Sequence, residues 1–140
     1  MKQTDRNLRP IFPLALVLFL AVAYTLDLLR VSVRNVLSFS GGSSPFALFS
    51  ISAGLVMAAG SISLALLLAR SPLSRALAWV FTILGALMLL VPLLMTVGMP
   101  VPAFLFYGLH PANSFILQAA AFWLIAGMVS LLRSRKLPDL

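Results

Sequence analysis

Few residues in this chain can do acid–base, nucleophilic or ligand chemistry, and most of them lie between or beyond its apolar runs. The 140 residues include three carboxylates, Asp5, Asp27 and Asp139, and no glutamate. Only Asp27 lies inside an apolar run, with Arg30 and Arg34 following at i+3 and i+7 on the same helical face. A carboxylate within a membrane span is costly and marks proton or ion handling when it faces a bundle interior. Asp27, however, occupies the last turn of its run. The expectation is therefore structural: a helix that continues past the hydrocarbon, with its charges paired at the water boundary.

His110 is the only histidine, and there is no cysteine. One imidazole without thiolates or carboxylate partners does not build a zinc site. Haem held by two histidines is excluded, and the six methionines are explained as apolar packing. No cofactor and no metal are expected. The sequence contains no G-x-S-x-G, no H-E-x-x-H, no phosphate loop and no dinucleotide fingerprint. With two of three carboxylates in the tails, paired acid–base catalysis lacks material, so the chain is expected not to be an enzyme.

Two further patterns stand out. Polar side chains gather toward one end of the apolar runs, and Asp27, Arg30, Arg34, His110 and Gln118 form the candidate polar cluster there. An outward-opening vestibule and ordinary interface chemistry both fit that distribution. The second pattern is a stripe of small residues at spacings of four and three, formed by Ser50, Gly54, Ala58, Ser61 and Ala65. Ala78, Thr82, Gly85 and Ala86 make a shorter set, and Ala119, Ala120, Ala126 and Gly127 another. Such stripes let helix backbones approach closely in lipid. They are expected to be the seams of the chain's own bundle, ahead of docking onto another protein.

The elements that carry these residues follow from composition. Hydrophobic residues make up 61% and charged residues 9% of the chain. A soluble domain carries roughly 25% charged residues, so this surface is suited to lipid. Four apolar runs, Ile11–Leu29, Phe46–Ala69, Ala76–Val97 and Ser114–Leu132, each approach the roughly 20 residues needed to cross a hydrocarbon core. Lipid offers backbone amides no partner, so each run should be helical. The fold expected is all-α, an integral membrane four-helix bundle in a single domain over residues 1–140.

Orientation follows from the basic residues. The N-terminal segment, the Arg70–Arg75 turn and the C-terminal tail share a side and hold eight of the ten Lys and Arg; Arg30 and Arg34 are opposite. The positive-inside rule puts both termini in the cytoplasm. Ala21-Val22-Ala23 matches a signal-peptidase site, but apolar character continues to Leu29, so a retained first span is expected. The net charge of +7 does not imply nucleic-acid binding, because the cations punctuate spans instead of forming one polar face with stacking aromatics.

The connections differ in kind. Arg70-Ser71-Pro72-Leu73-Ser74-Arg75 is tight. It predicts that spans two and three pair as an antiparallel hairpin, with Ser71 or Ser74 as a cap and Pro72 in the next first turn. Gly41–Pro45 breaks the chain before span two. Gly98–Asn113 is apolar and aromatic and is expected at the outer interface. Pro92, inside span three, is expected to kink it.

The function these features favour is a non-catalytic small membrane protein, an accessory or assembly subunit of a larger complex in a cell membrane such as a bacterial inner membrane. Its partners would be the lipid bilayer and a membrane protein or a second copy of itself. The alternative is a small oligomeric transporter or channel with the polar cluster as its vestibule.

Overall fold

The computed structural model describes residues 11–38, 44–100, 102 and 114–135. Among them are four helices: α1 (Ile11–Ser38), α2 (Ser44–Arg70), α3 (Arg75–Thr96) and α4 (Ser114–Arg135). Each is long and apolar enough to cross a membrane, with mean hydropathy between 2.1 and 2.5. Three of them match the apolar runs to within a few residues. Helix α1 runs well past its apolar run at Leu29, as the spacing of Asp27, Arg30 and Arg34 leads one to expect, and carries Arg30 and Arg34 with it.

The helix ends are set by local chemistry. Pro13 and Pro45 fall in the first turns of α1 and α2, where an amide has no intrahelical partner to lose. Ser74 is the N-cap of α3, with extended backbone, and its carbonyl accepts from Ala78 N at 2.8 Å. Its hydroxyl makes no cap bond, and Pro72 lies before the helix instead of in its first turn; both differ from the reading of the turn. The other end of α3 is a complete Schellman closure. Gly98 takes a φ of +75°, Met99 N donates to Leu94 O at 3.0 Å, and Gly98 N donates to Met95 O at 3.1 Å. Helix α3 continues through Pro92, whose ring is buried.

Packing centres on α4. Its contact with α3 is by far the most extensive in the chain, and it also touches α1 and, more lightly, α2. The remaining substantial pair is α1 with α2. Helices α2 and α3 barely meet, so the expected hairpin does not form as a packed pair. A tight turn constrains only the ends it joins; what lies beside each helix depends on complementary surfaces. Helix α3 finds its complement in α4. A Cβ on Gly85 would lie 2.7 Å from Leu124 N and 2.8 Å from Ala120 O. One on Gly127 would meet Thr82 Oγ1 and lie 2.6 Å from Ala78 O. Ala78 and Ala120 are fully buried along the same seam, and Ala119 and Ala126 of α4 are fully buried as well.

Aromatic rings fill what the small residues leave open. Trp123 meets Phe81 of α3 edge-on, with centroids 4.9 Å apart, and Phe122 meets Phe19 of α1 at 5.9 Å. Such pairs contribute about 0.5–1.5 kcal/mol beyond their burial. Phe12, Leu16, Phe19 and Ala23 of α1 and Ala53, Met57, Leu64 and Leu68 of α2 complete the core. The outside is apolar as well: Leu14, Leu18, Leu55, Ile62, Leu66, Leu87 and Leu93 are among its exposed side chains.

Candidate functional site

The residues with chemistry in them converge on the two ends of α4. At its N-terminus the first amides have no partner within the helix and carry the positive end of its dipole. In an apolar surround each such amide must be satisfied from elsewhere. Asp27 of α1 does this. Its Oδ2 accepts from Ile116 N at 2.8 Å, and the residue is only 3% exposed. A carboxylate is the favoured group at this position, since it supplies both an acceptor and the sign that the dipole prefers.

Arg30, one turn further along α1, grips the same end. Its guanidinium donates to Ser114 Oγ at 2.9 Å. It also lies 5.9 Å from the Phe115 ring centroid and 5.8 Å from that of Phe46 on α2. The C-terminal third of α1 is thus a clamp on the start of α4, and Arg30 also reaches Phe46 at the start of α2. This corrects the expected charge pairing of Asp27, Arg30 and Arg34 at a wet boundary. Asp27 turns inward to a backbone amide, and Arg34 is exposed.

At the other end, α4 supplies the cap. Arg133 donates through Nη1 to Leu68 O at 3.0 Å and to Ala69 O at 3.3 Å. These are carbonyls of the last turn of α2, where the dipole favours a cation. Ser130, 2% exposed, accepts from Leu73 N at 3.1 Å and holds the turn between α2 and α3. Midway along, Trp123 Nε1 donates to Leu16 O of α1 at 2.9 Å. Sequence reading missed these three residues as determinants. Arg133 was assigned to topology alone, and Trp123 and Ser130 bond to backbone atoms that no residue type reveals.

The candidate polar cluster is described only in part. Asp27 and Arg30 come together at the start of α4, Arg34 and Gln118 are exposed, and His110 lies outside the described residues, as does most of the Gly98–Asn113 segment. Many hydroxyls are spent locally: Thr25, Ser52, Ser61, Ser63 and Thr82 each donate to the carbonyl four residues back. Among the described residues, Asp27 Oδ1 and Ser50 Oγ are buried without a hydrogen-bond partner. Register places these two at similar depth, since Phe19 packs on Gly60 and Arg30 lies over Phe46.

The α2 stripe is a correction too. Ala58 and Ala65 are exposed, Ser50, Gly54 and Ser61 are only partly covered, and a Cβ on Gly54 would have nothing within 4 Å. The buried face of α2 is instead Ala53, Met57, Leu64 and Leu68. Met57, Leu64 and Leu68 bury more apolar surface than the stripe would, while Ala53 and Gly60 give room on the inner face, where Gly60 lies against Phe19.

Among the described residues no three His, Cys, Asp or Glu side chains come together in a way that would hold a metal ion. Comparison with protein-family models, with curated proteins and with solved structures finds no match to this chain.

Proposed function

We propose that this chain is a multi-pass protein of a cell membrane, with both termini in the cytoplasm, and that it serves as a non-catalytic subunit docking onto another membrane protein. The observation that carries this reading is the outward face of α2. Gly54, Ala58 and Ala65 share a face of α2 that the described helices leave exposed or only partly covered. Small residues let a neighbouring helix approach closely and gain dispersion contacts, which drives association where lipid removes the hydrophobic incentive. Orientation rests on the basic residues that gather at the Arg70–Arg75 end.

The role of Asp27 supports the same reading over a transporter. Its carboxylate is engaged with the Ile116 amide, which suits a fixed joint better than a group that loads and releases an ion.

The absence of native cysteine makes the test direct. Single cysteines at Gly54, Ala58 and Ala65 should cross-link to a neighbour in native membranes, whereas a cysteine at Leu14 or Leu87 should not. Equal cross-linking from all five positions, or from none, would remove the docking face. A disulfide-linked pair of this chain alone would make the partner a second copy.

A further inference from the structure

The face of the α3–α4 pair near the basic end contains a cleft of about 280 Å³. Arg75, Trp79 and Thr82 of α3 line one wall, and Met128, Leu131 and Ser134 of α4 line the other. Its chemistry is divided along its length. The Thr82 hydroxyl is spent on Ala78 O at 2.7 Å and that of Ser134 on Leu131 O at 2.8 Å. The interior is therefore effectively apolar, walled by the indole of Trp79, which is 49% exposed.

The mouth is different. Arg75 is exposed and has no partner among the described residues, unlike Arg133, which is committed to carbonyls of α2. Arg75 is also the first residue of α3, where the dipole disfavours a cation and the Ser74 hydroxyl caps no amide. Two sources of positive potential, the guanidinium and the open helix start, thus meet at one point with no anion among the described residues to balance them. From Arg75 to Thr82 a helix rises about 10 Å, the depth over which a headgroup gives way to acyl chain.

We infer that this cleft is a binding site for an anionic phospholipid, with the phosphate held between Arg75 and the first amides of α3 and one acyl chain lying along Trp79, Met128 and Leu131. A free anion would use the mouth and leave the apolar walls bare. A zwitterionic lipid would use the walls and offer a phosphate, but would bring its own cation to a mouth that is already positive. An anionic amphiphile satisfies both. The inference rests on the membrane placement proposed above, but not on which side the termini face or on any protein partner.

The test uses Trp79 as the reporter, because the other tryptophan, Trp123, is buried and gives a constant background. The full chain is reconstituted in phosphatidylcholine vesicles. A small fraction of either brominated phosphatidylglycerol or brominated phosphatidylcholine is then mixed in, and quenching is followed. One basic residue near the surface is worth a preference of about fivefold for the anionic lipid. Phosphatidylglycerol should therefore quench at about one-fifth of the fraction that phosphatidylcholine requires. Arg75→Gln should bring the two lipids level, and Trp79→Phe should abolish most of the quenching. Losing a cation from a helix start does not threaten the fold. Equal quenching by both lipids in the unmodified chain would overturn the site while leaving the membrane placement intact, as would an unchanged preference in Arg75→Gln. Absence of quenching by either lipid would overturn both.

Discussion

Helices α2 and α4 look alike as sequences, each apolar throughout and each marked by small residues, yet the chain uses them in opposite ways. In α4 the small residues are the seam: Ala119, Ala120 and Ala126 are fully buried and Gly127 sits against the backbone of α3. In α2 the stripe of Gly54, Ala58 and Ala65 faces away from the core, which is made by Ala53, Met57, Leu64 and Leu68. Small-residue content therefore shows that a close approach is available, not where it is used. What decides is the opposing surface. Helix α3 presents Ala78 and Gly85 to the backbone of α4, whereas α1 presents Phe19 to Gly60, on a different face of α2 from the stripe. Polar joints deepen the contrast, since Asp27, Trp123, Ser130 and Arg133 all make α4 one side of their bond.

The sharpest way to break this comparison is at Gly127. Gly127→Ala places a methyl group against Thr82 and the carbonyl of Ala78, which are mostly backbone and cannot yield. The α3–α4 pair must separate, at a cost of about 1–3 kcal/mol or more. A marked fall in unfolding midpoint in detergent is expected, and an unchanged midpoint would mean the seam is looser than described.

Next comes Asp27→Leu, which keeps bulk but strands the Ile116 amide in an apolar surround, at about 1–3 kcal/mol. Asp27→Asn retains an acceptor oxygen and should cost much less, with near-normal abundance. Titrating the two variants in a mixed-detergent unfolding series separates a lost acceptor from a lost charge. Equal destabilisation would make charge, and not the cap bond, the source of stability.

Arg133→Met removes a cap at the wetter end, where the α2 carbonyls can turn to water. The expected loss is about 0.3–1 kcal/mol. A cost as large as that of Asp27→Leu would show this end to be as dry as the other.

Gly54→Leu should have the smallest effect on the fold, within about 0.5 kcal/mol, because nothing lies within 4 Å of the added carbon. Under the proposed function it should nevertheless weaken assembly in native membranes, read as loss of cross-linking from Ala58→Cys. Destabilised folding without lost cross-linking would reverse the assignment of the two faces.

Much of the fold was legible in the chain itself. Apolar runs bounded by Arg, Pro and Gly located the helices, and the run ending at Val97 placed the end of α3 next to Gly98, whose positive φ closes the helix. The continuation of α1 past its apolar run was legible too, since Asp27, Arg30 and Arg34 fall at helical spacing and the helix carries all three. Pairing was read less well. The short turn after Arg70 suggested a hairpin, but pairing depends on the rotation of each helix about its axis, and apolar character all round a span leaves that rotation open. The candidate site was legible only as residues. Asp27 was singled out by cost alone, while its partner was a backbone amide, a group that every residue but proline carries and that sequence cannot flag. The same reason hid Arg133, Ser130 and Trp123.

The claim on which most depends is that Asp27 is a fixed cap of α4 and not a group that binds and releases an ion. Hydrogen exchange at the Ile116 amide tests it most directly, measured by amide-resolved NMR on the full chain in micelles. The amide should be strongly protected in the unmodified chain, lose protection in Asp27→Ala, and keep most of it in Asp27→Asn. Rapid exchange in the unmodified chain, or protection that survives in Asp27→Ala, would contradict the cap and return the carboxylate to the role of a vestibule ion site.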